Sequence, residues 1–555
     1  MVSARSRGRV AVWLVLATAA CAPAASGGLR GASEGAGEGG FSRRDERQYI
    51  GSYADVRAVA VSRRYAYAAT PSGVGVYDRL RGAWEAPFTR ENGLVDAQIT
   101  VIAGDPAEDA VWIGVPGAVV MYRPLTMSVL RTMIAGIPDV IAFDKSSTGD
   151  AYVRAGGQWT RVSRAGVAST VAHPPPPSTV VVPTTLNDLV MQFPSLRSPQ
   201  MLLTRNQRAD RALPHYAITS GASSPERASE VWLGTNGDGL YRVDPTFQEA
   251  TSLRFGPMDS GIGALALAAD GVWMAGLGES RIRGGLSFSS NDLQRWRWID
   301  GTISVPLVGV RANALSVRAQ RAWIATDRGV VRVRLDGGEA VTTWTVLDGL
   351  PDARVNAVAA RGEGAWAGTS RGLVWVNDST ETRERRSRNI GVRLLEGTPV
   401  FALQPIGDSL WIGTATGLVV LSASGQLARV ASPDLALRRP VRALTWSDSV
   451  LVVATDDGVL AVALNAAKEP VHLSTIDVRA VGQISRMAMD DRTIWLAGSN
   501  GVLVVARNGV ATRLLRAPLD LPGPALDVVA SRDWLWIATP FGLVRMRRSG
   551  DGGLP

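Results

Sequence analysis

Between Leu410 and Gly425 the chain reads LWIGTATGLVVLSASG. A short apolar run, Leu410-Trp411-Ile412, is followed by the small and polar residues Thr414 to Gly417. A second apolar run, Leu418 to Leu421, comes next. A glycine-containing bend between two β-rich runs predicts a hairpin. Upstream, Val400-Phe401-Ala402-Leu403 is a third apolar run, closed by Gly407-Asp408. Three short strands joined by tight turns make most of one four-stranded sheet.

The same pattern recurs along almost the whole chain. Trp323 opens WIATDRG, Trp366 WAGTSRG, Trp495 WLAGSNG and Trp536 WIATPFG. Val452 and Tyr67 hold the same place in VVATDDG and YAATPSG. Trp112 (WIGVPG) is one residue short, Trp232 (WLGTNGDG) one residue long, and Trp273 (WMAG) keeps the first half. The preceding apolar run repeats at Val56 to Val59, Ile99 to Ile102, Val355 to Val358 and Val441 to Leu444. Clear spacings run from 41 residues (Trp232 to Trp273) to 50 (Trp273 to Trp323). The interval from Trp112 to Trp232 has room for two degenerate copies, Tyr152 being a fair anchor for one and Val190 a poor one for the other. About twelve units of some 40–50 residues, four strands each, predict an all-β chain of β-propeller blades. Stacking blades around an axis buries both faces of each sheet and leaves few open edges.

These residues resemble the two-component regulator propeller repeat, with its W-I-G-T and G-L core at Trp411 to Thr414 and Gly417-Leu418. Asp348-Gly349-Leu350-Pro351 before Val355 resembles that family's connection into a new blade. The resemblance spans roughly Tyr49 to Arg548 and is poor over residues 155 to 230. It implies a β-propeller. It leaves function open, because the repeat occurs both in sensor regions of histidine kinases and in stand-alone secreted proteins.

Two six-bladed rings are expected, residues 45–290 and 291–548, with a boundary near 287 to 294 and a short tail at 549–555. Seven plus five blades, or one large ring, are the alternatives. Gln48-Tyr49-Ile50 is the expected closing strand of the first ring, and Arg295 to Ile299 that of the second.

Residues 1–21 read as an export signal: Arg5, Arg7 and Arg9, then an apolar stretch from Val10 to Ala20 that is short for a membrane span. It ends Ala17-Thr18-Ala19-Ala20-Cys21, resembling a bacterial lipoprotein signal with Cys21 as the lipidated residue. An ordinary secretory signal is the alternative. Residues 22–44 are rich in Gly, Ala and Ser and read as a flexible tether. Cys21 is the single cysteine, so no disulfide is expected within the exported domain. The expected location is the cell envelope, periplasm or cell surface, with a lipid anchor to the membrane.

The net charge is +9, and lysine is nearly absent (Lys145 and Lys468). A solvated surface accounts for the charge, and no nucleic-acid partner is expected. His173 to Pro183, and the charge run from Thr382 to Arg388, read as surface loops. His173, His215 and His472 stand far apart, and neither a G-x-S-x-G elbow nor a P-loop occurs. No catalytic residue, metal site or cofactor is expected. The repeated tryptophans read as packing between blades. Recognition is expected in the variable turns that follow them: Asn236, Asp238, Asp327, Arg328, Arg371, Asp456, Asp457 and Asn500. The function expected is a binding or sensing module for a carbohydrate, a peptide or an envelope protein. A propeller lyase or hydrolase, or a structural part of an envelope assembly, is the alternative.

Overall fold

The computed structural model describes residues 47–145, 149–197, 217–227, 229–247, 249–279, 284–300, 307–336, 341–377, 390–430, 435–465 and 470–548. Cys21, the signal and tether, His215 and the charge run at 382–388 lie outside them. Among the described residues no helix is long and apolar enough to cross a membrane.

The described residues form eleven antiparallel sheets, ten of four strands and one of five. In chain order they occupy residues 58–84 (sheet 1), 101–133 (2), 138–181 (3), 218–253 (4), 262–300 (5), 312–344 (6), 355–394 (7), 400–429 (8), 441–476 (9), 484–516 (10) and 527–547 (11). Each repeat predicted from the apolar runs is one sheet. The V-x-A run is its first strand, the tryptophan run its second, and the G-L/V run its third. Tyr152 lies in the second strand of sheet 3, as its degenerate copy predicts. Val190 does not anchor a sheet. It lies in a helix, Leu186–Gln192, started by a capping box between Thr185 and Asp188.

The tryptophan anchors are buried, except Trp366, which is half-buried. Trp112, Trp232, Trp323, Trp411, Trp495 and Trp536 are among the largest fully buried side chains. Most hydrophobic clusters span neighbouring sheets, as in Trp411 with Val441, Leu444 and Val453. This is the packing role expected of them, because a flat aromatic between two twisted sheets removes far more apolar area from water than an aliphatic residue.

The first strands stand side by side in two series. In the long series, sheet 5 lies against 6, and so on to 11, which returns to contact sheet 5. In the short series, sheet 1 lies against 2, 2 against 3, and 4 against 1. The helix Leu186–Gln192 packs on sheet 4 through Leu189, joined by Leu196, Leu233 and Val243.

Strand closure differs from expectation. Arg47–Ile50 pairs with Gly542–Arg547 and becomes the fourth strand of sheet 11. It closes the long series and not a first ring. Trp296–Asp300 is the outer strand of sheet 5, paired with Gly285–Ser290. It does not lead a new ring, and the expected boundary at 287–294 runs from inside the strand Gly285–Ser290 into the turn before its partner. The chain therefore starts in sheet 11, crosses at residues 51–57 to the short series, and returns at 254–261 to the long one.

The two crossings lie against each other. Ser52 Oγ donates to the Met258 carbonyl at 3.2 Å, and a Cβ on Gly256 would stand 2.4 Å from the Gly51 carbonyl oxygen. An aromatic cluster surrounds them: Tyr53 to Phe255 at 5.2 Å, Phe255 to Trp84 at 5.0 Å and Phe255 to Trp296 at 5.5 Å. Trp298 Nε1 donates to the Gly256 carbonyl at 2.8 Å.

Candidate functional site

In six copies the turn after the anchor is built by a threonine; the turn after Trp495, which holds Asn500, has Gly498 at that position. In T-x-x-G the buried Thr hydroxyl donates to the glycine carbonyl and accepts the N–H two residues on. Thr369 does so to Gly372 at 2.9 Å and from Arg371 at 3.1 Å, and Thr539 to Gly542 at 2.8 Å and from Phe541 at 3.2 Å. Thr70, Thr326, Thr414 and Thr455 repeat the pair. The hydroxyl thus satisfies backbone groups that a tight turn leaves over. The glycine is needed on two counts. At Gly542 φ is +143°, and a Cβ there would lie 2.6 Å from the Ile50 carbonyl oxygen. The same close approach joins Gly329 to Trp344 and Gly417 to Leu437, the end of each sheet's outer strand or the segment after it. The anchor turns and the connections into the next sheet therefore share one end of the sheets, as the sequence suggests.

The frame of the turn is fixed while the residue before the glycine changes. Arg328, Arg371, Thr416, Asp457 and Phe541 stand there, all exposed. The remaining candidates divide. Asp327 accepts the Arg311 N–H at 3.1 Å. Asn236 bonds Ala217 through its Oδ1 at 2.8 Å. Asn500 donates to the Ala480 carbonyl at 3.3 Å. Asp456 pairs with Arg442 at 2.7 Å and Asp457 with Arg439 at 3.0 Å. The Arg442 guanidinium holds the Asp456 carboxyl below its usual range. Asp238 is only 7% exposed, bonded by the Tyr241 hydroxyl and paired with Arg254 at 3.0 Å. Its surroundings are those of a packing residue. The candidates thus occupy the same kind of turn on separate sheets, and do not converge on one point.

A second set of positions was not read from the sequence. It is the x of the V-x-A run. The first strands bulge there, for example between Val355 and Ala357 and between Ile484 and Arg486. The bulged side chain reaches the next sheet's backbone. Asn313 Nδ2 donates to Val355 O at 2.8 Å, Asn356 Nδ2 to Val400 O at 3.0 Å and Ser485 Oγ to Ala525 O at 2.8 Å. Thr100 does the same to Pro138 and Thr219 to Val56, the latter carrying sheet 4 back to sheet 1. At sheet 9 the position is Arg442, whose guanidinium lies 4.4 Å from the Phe401 ring centroid. The polar residue at x in most copies was the available signal.

In sheets 5 to 9 the next position is alanine, but it is Arg486 in sheet 10 and Asp527 in sheet 11. Arg486 Nη2 donates to the carbonyls of Asn313 at 2.6 Å and Asn356 at 3.0 Å, on sheets 6 and 7. Asp527 accepts the Leu265 N–H of sheet 5 at 2.8 Å. Burial pushes its carboxyl up to about 6 against the pull of Arg486 and two backbone N–H groups. Between them these two side chains touch sheets 5, 6 and 7 from sheets 10 and 11.

Among the described residues, no group of three or more His, Cys, Asp and Glu is placed to hold a metal ion. No protein-family model matches the chain, and no curated protein matches it by sequence. Solved structures do. PorZ, a bacterial surface component of the type-IX secretion system of Porphyromonas gingivalis, aligns over 90% of this chain and 87% of its own, at 12% identity and a TM-score of 0.51. The extracellular domain of the putative one-component system BT4673 from B. thetaiotaomicron aligns over 89% and 69%, at 15% identity and 0.40. The Cps50 (Swd1) β-propeller domain of Myceliophteria thermophila aligns over 52% and 97%, at 13% and 0.40. At such identities the likeness is one of fold: the chain is nearly all β, in four-stranded antiparallel sheets of the propeller kind.

Proposed function

We propose that this protein is an exported, non-catalytic binding module of the cell envelope, tethered through a lipidated Cys21, that recognises its ligand with the turns after the anchors. The chain reads best as a seven-bladed propeller, sheets 5 to 11, with a smaller ring inserted between its first two strands. In that ring the helix Leu186–Gln192 takes the place of a fifth blade. One observation carries the binding role. A threonine fixes the backbone of six of these turns, while the exposed residue presented there runs from Arg371 through Asp457 to Phe541. Rigid frames that present different side chains are suited to recognition. A sensing role would pass the bound state to a separate protein.

A photo-crosslinking residue placed at Arg371 in cells should yield a discrete adduct. The same residue at Glu363, in the turn at the other end of sheet 7, should yield none. Equal labelling at both, or none at 371, rejects the turns as the recognition surface. Mass spectrometry of the mature N-terminal peptide tests the anchor: an unmodified terminus beyond Cys21 excludes lipidation.

A further inference from the structure

Every anchor but one packs against the sheet that follows it. Trp112 meets Ile141, Phe143 and Val153 of sheet 3, Trp323 meets Val355 and Val358 of sheet 7, and Trp495 meets Val528 and Leu535 of sheet 11. Trp232 meets Val59 and Ala66 of sheet 1, and Trp536 meets Leu265 and Met274 of sheet 5. The exception is Tyr152, which holds the anchor position of sheet 3. It is half-buried and joins no hydrophobic cluster among the described residues.

Strand alternation explains why. Ile141, Val153 and Val162 lie on the face of sheet 3 that meets sheet 2, and Tyr152 lies on the other. Among the described residues no further sheet stacks on that second face. Sheet 4, the next in the chain, turns Leu233, Tyr241 and Val243 to the helix Leu186–Gln192 instead. The pairing register fixes what the open face presents. Tyr152 stands opposite Arg161, and Arg161 opposite Ser169; Arg154 stands opposite Trp159, and Trp159 opposite Val171. Directly paired side chains start about 5 Å apart, so these residues form neighbouring rows. Ser169 is exposed and the others are half-buried. The Arg154 guanidinium lies 5.9 Å from the Trp159 ring centroid and pairs with Asp139 at 2.8 Å, while Arg161 pairs with Asp150 at 2.8 Å. The Tyr152 hydroxyl and Trp159 Nε1 make no hydrogen bond among the described residues.

The open face thus carries two aromatic side chains and two arginine–aspartate pairs. The charges of the pairs cancel, so the face favours neither an anion nor a cation. A purely apolar partner would take the phenol, the indole N–H and the ion pairs out of water and give nothing in return. A pyranose ring suits all of them. Its C–H groups lie on Trp159 and Tyr152. Its hydroxyls accept from the Tyr152 hydroxyl, the indole N–H and the guanidinium groups, and donate to Asp139 and Asp150.

We infer that the open face of sheet 3, formed by Tyr152, Arg154, Trp159 and Arg161, binds a neutral glycan. The site is a sheet face and not a turn, so it stands whether or not the turn at Arg371 recognises a ligand. The test is the full-length protein on an array of neutral, uronic and amino glycans, with affinities measured by calorimetry. A neutral glycan should bind. Its affinity should fall about tenfold in Trp159→Ala, through loss of the aromatic contact. It should fall severalfold in Tyr152→Phe, which should keep the melting temperature, since the hydroxyl it removes makes no hydrogen bond. Arg371→Ala should leave it unchanged. Absence of any neutral glycan ligand, tighter binding of uronic or amino glycans, or full affinity in both Trp159→Ala and Tyr152→Phe overturns the inference. So does loss of the glycan in Arg371→Ala, which would move it to the turns. A photo-crosslinking residue at Ser169 that captures a protein in cells, with no glycan competing, assigns the face to a protein partner and overturns it as well.

Discussion

The long and short series of sheets solve the same packing problem with different amounts of polar specification. In the long series the anchors lie among apolar neighbours, with an arginine over the rings of Trp273, Trp495 and Trp536. The indole N–H groups of Trp411, Trp495 and Trp536 have no hydrogen-bond partner among the described residues. In the short series Trp112 Nε1 donates to Asp105 at 3.2 Å and Trp232 Nε1 to Glu230 at 3.1 Å. The same carboxylates hold arginines of the adjoining sheet: Arg164 with Asp105 at 3.2 Å, and Arg79 with Glu230 at 3.0 Å. A series of seven like sheets can be shaped by repetition of one interface. In the short series, side chains with directional bonds fix neighbouring sheets to one another.

A common stitch runs through both. The arginine after a sheet's third strand pairs with an acid in the turn after the previous sheet's first strand. Arg507 meets Asp448 at 2.9 Å, Arg548 meets Asp490, and Arg164 meets Asp105. Arg79 of sheet 1 makes this contact with Glu230 of sheet 4. The latch from Thr219 to Val56 repeats, between the same two sheets, the link that Asn356 makes to Val400. Sheet 4 therefore treats sheet 1 as its successor.

The largest effect should come from the closing strand. Deleting residues 44–50 removes the outer strand of sheet 11 and opens the paired edge of Gly542–Arg547. Hydrogen exchange should show protection lost over 527–547 and 262–268 and kept over 101–133. Early loss at 101–133 instead would assign Arg47–Ile50 to the short series.

Next come the anchors. Trp411→Ala and Trp232→Ala should each cost about 3–5 kcal/mol by denaturant unfolding, as large aromatic truncations in cores do. Phenylalanine separates the two series. Trp411→Phe removes an N–H without a partner, whereas Trp232→Phe leaves the Glu230 carboxylate short of a donor, an extra ~1–3 kcal/mol. Equal costs would show that the carboxylates of the short series do not specify its packing.

Much of this fold is legible in the sequence because each copy repeats its own evidence. A tryptophan flanked by aliphatics, followed by T-x-x-G, identifies the second and third strands of a sheet wherever it occurs. Closure is not legible in the same way. Tyr49 and Trp298 both sit in short β-rich runs, and only the pairing shows that one crosses to sheet 11 while the other stays in sheet 5. Nor is Val190, since the helix that packs on sheet 4 has no repeat to match. At the candidate site the variable turn residues could be found from their position. Their partners could not: Asp238 looks like its neighbours in sequence, yet Tyr241 and Arg254 enclose it. The x and alanine positions of V-x-A were open to inspection. Their role lies between sheets, so no single copy displays it.

The long series also carries an internal charge that the short one lacks at that position. The Asp527 carboxyl is raised by burial from 3.8 to about 6. The folded state then binds this proton more tightly than the unfolded chain. Its stabilising contribution is full below about pH 4 and is lost as the pH rises through about 6, to the extent of ~3 kcal/mol for a shift of two units. Carboxyls held low by arginine, such as Asp78 and Asp139, give the opposite slope. The difference between wild type and Asp527→Asn isolates the group. The variant should gain stability relative to wild type from pH 4 to pH 7, and a constant difference across that range would remove the linkage.

The smallest expected effect bears most directly on whether the short series is closed. Thr219→Val keeps the shape of the side chain and removes the hydroxyl that bonds Val56. Ser485→Ala removes the matching bond to Ala525 inside the long series. A single neutral hydrogen bond contributes about 1 kcal/mol, so the two losses should be alike if both stand between successive blades of a ring. Thr219 offers the sharper reading, because its bond joins residues far apart in sequence and the helical gap leaves sheet 4 fewer other neighbours. Exchange protection at Ala58–Val61 and Ile218–Ser223 should fall together in Thr219→Val, with Ala312–Arg318 unchanged. If the two strands of the short series lose protection independently, they are not coupled across that junction, and sheet 4 hangs from the crossing segments instead of closing on sheet 1.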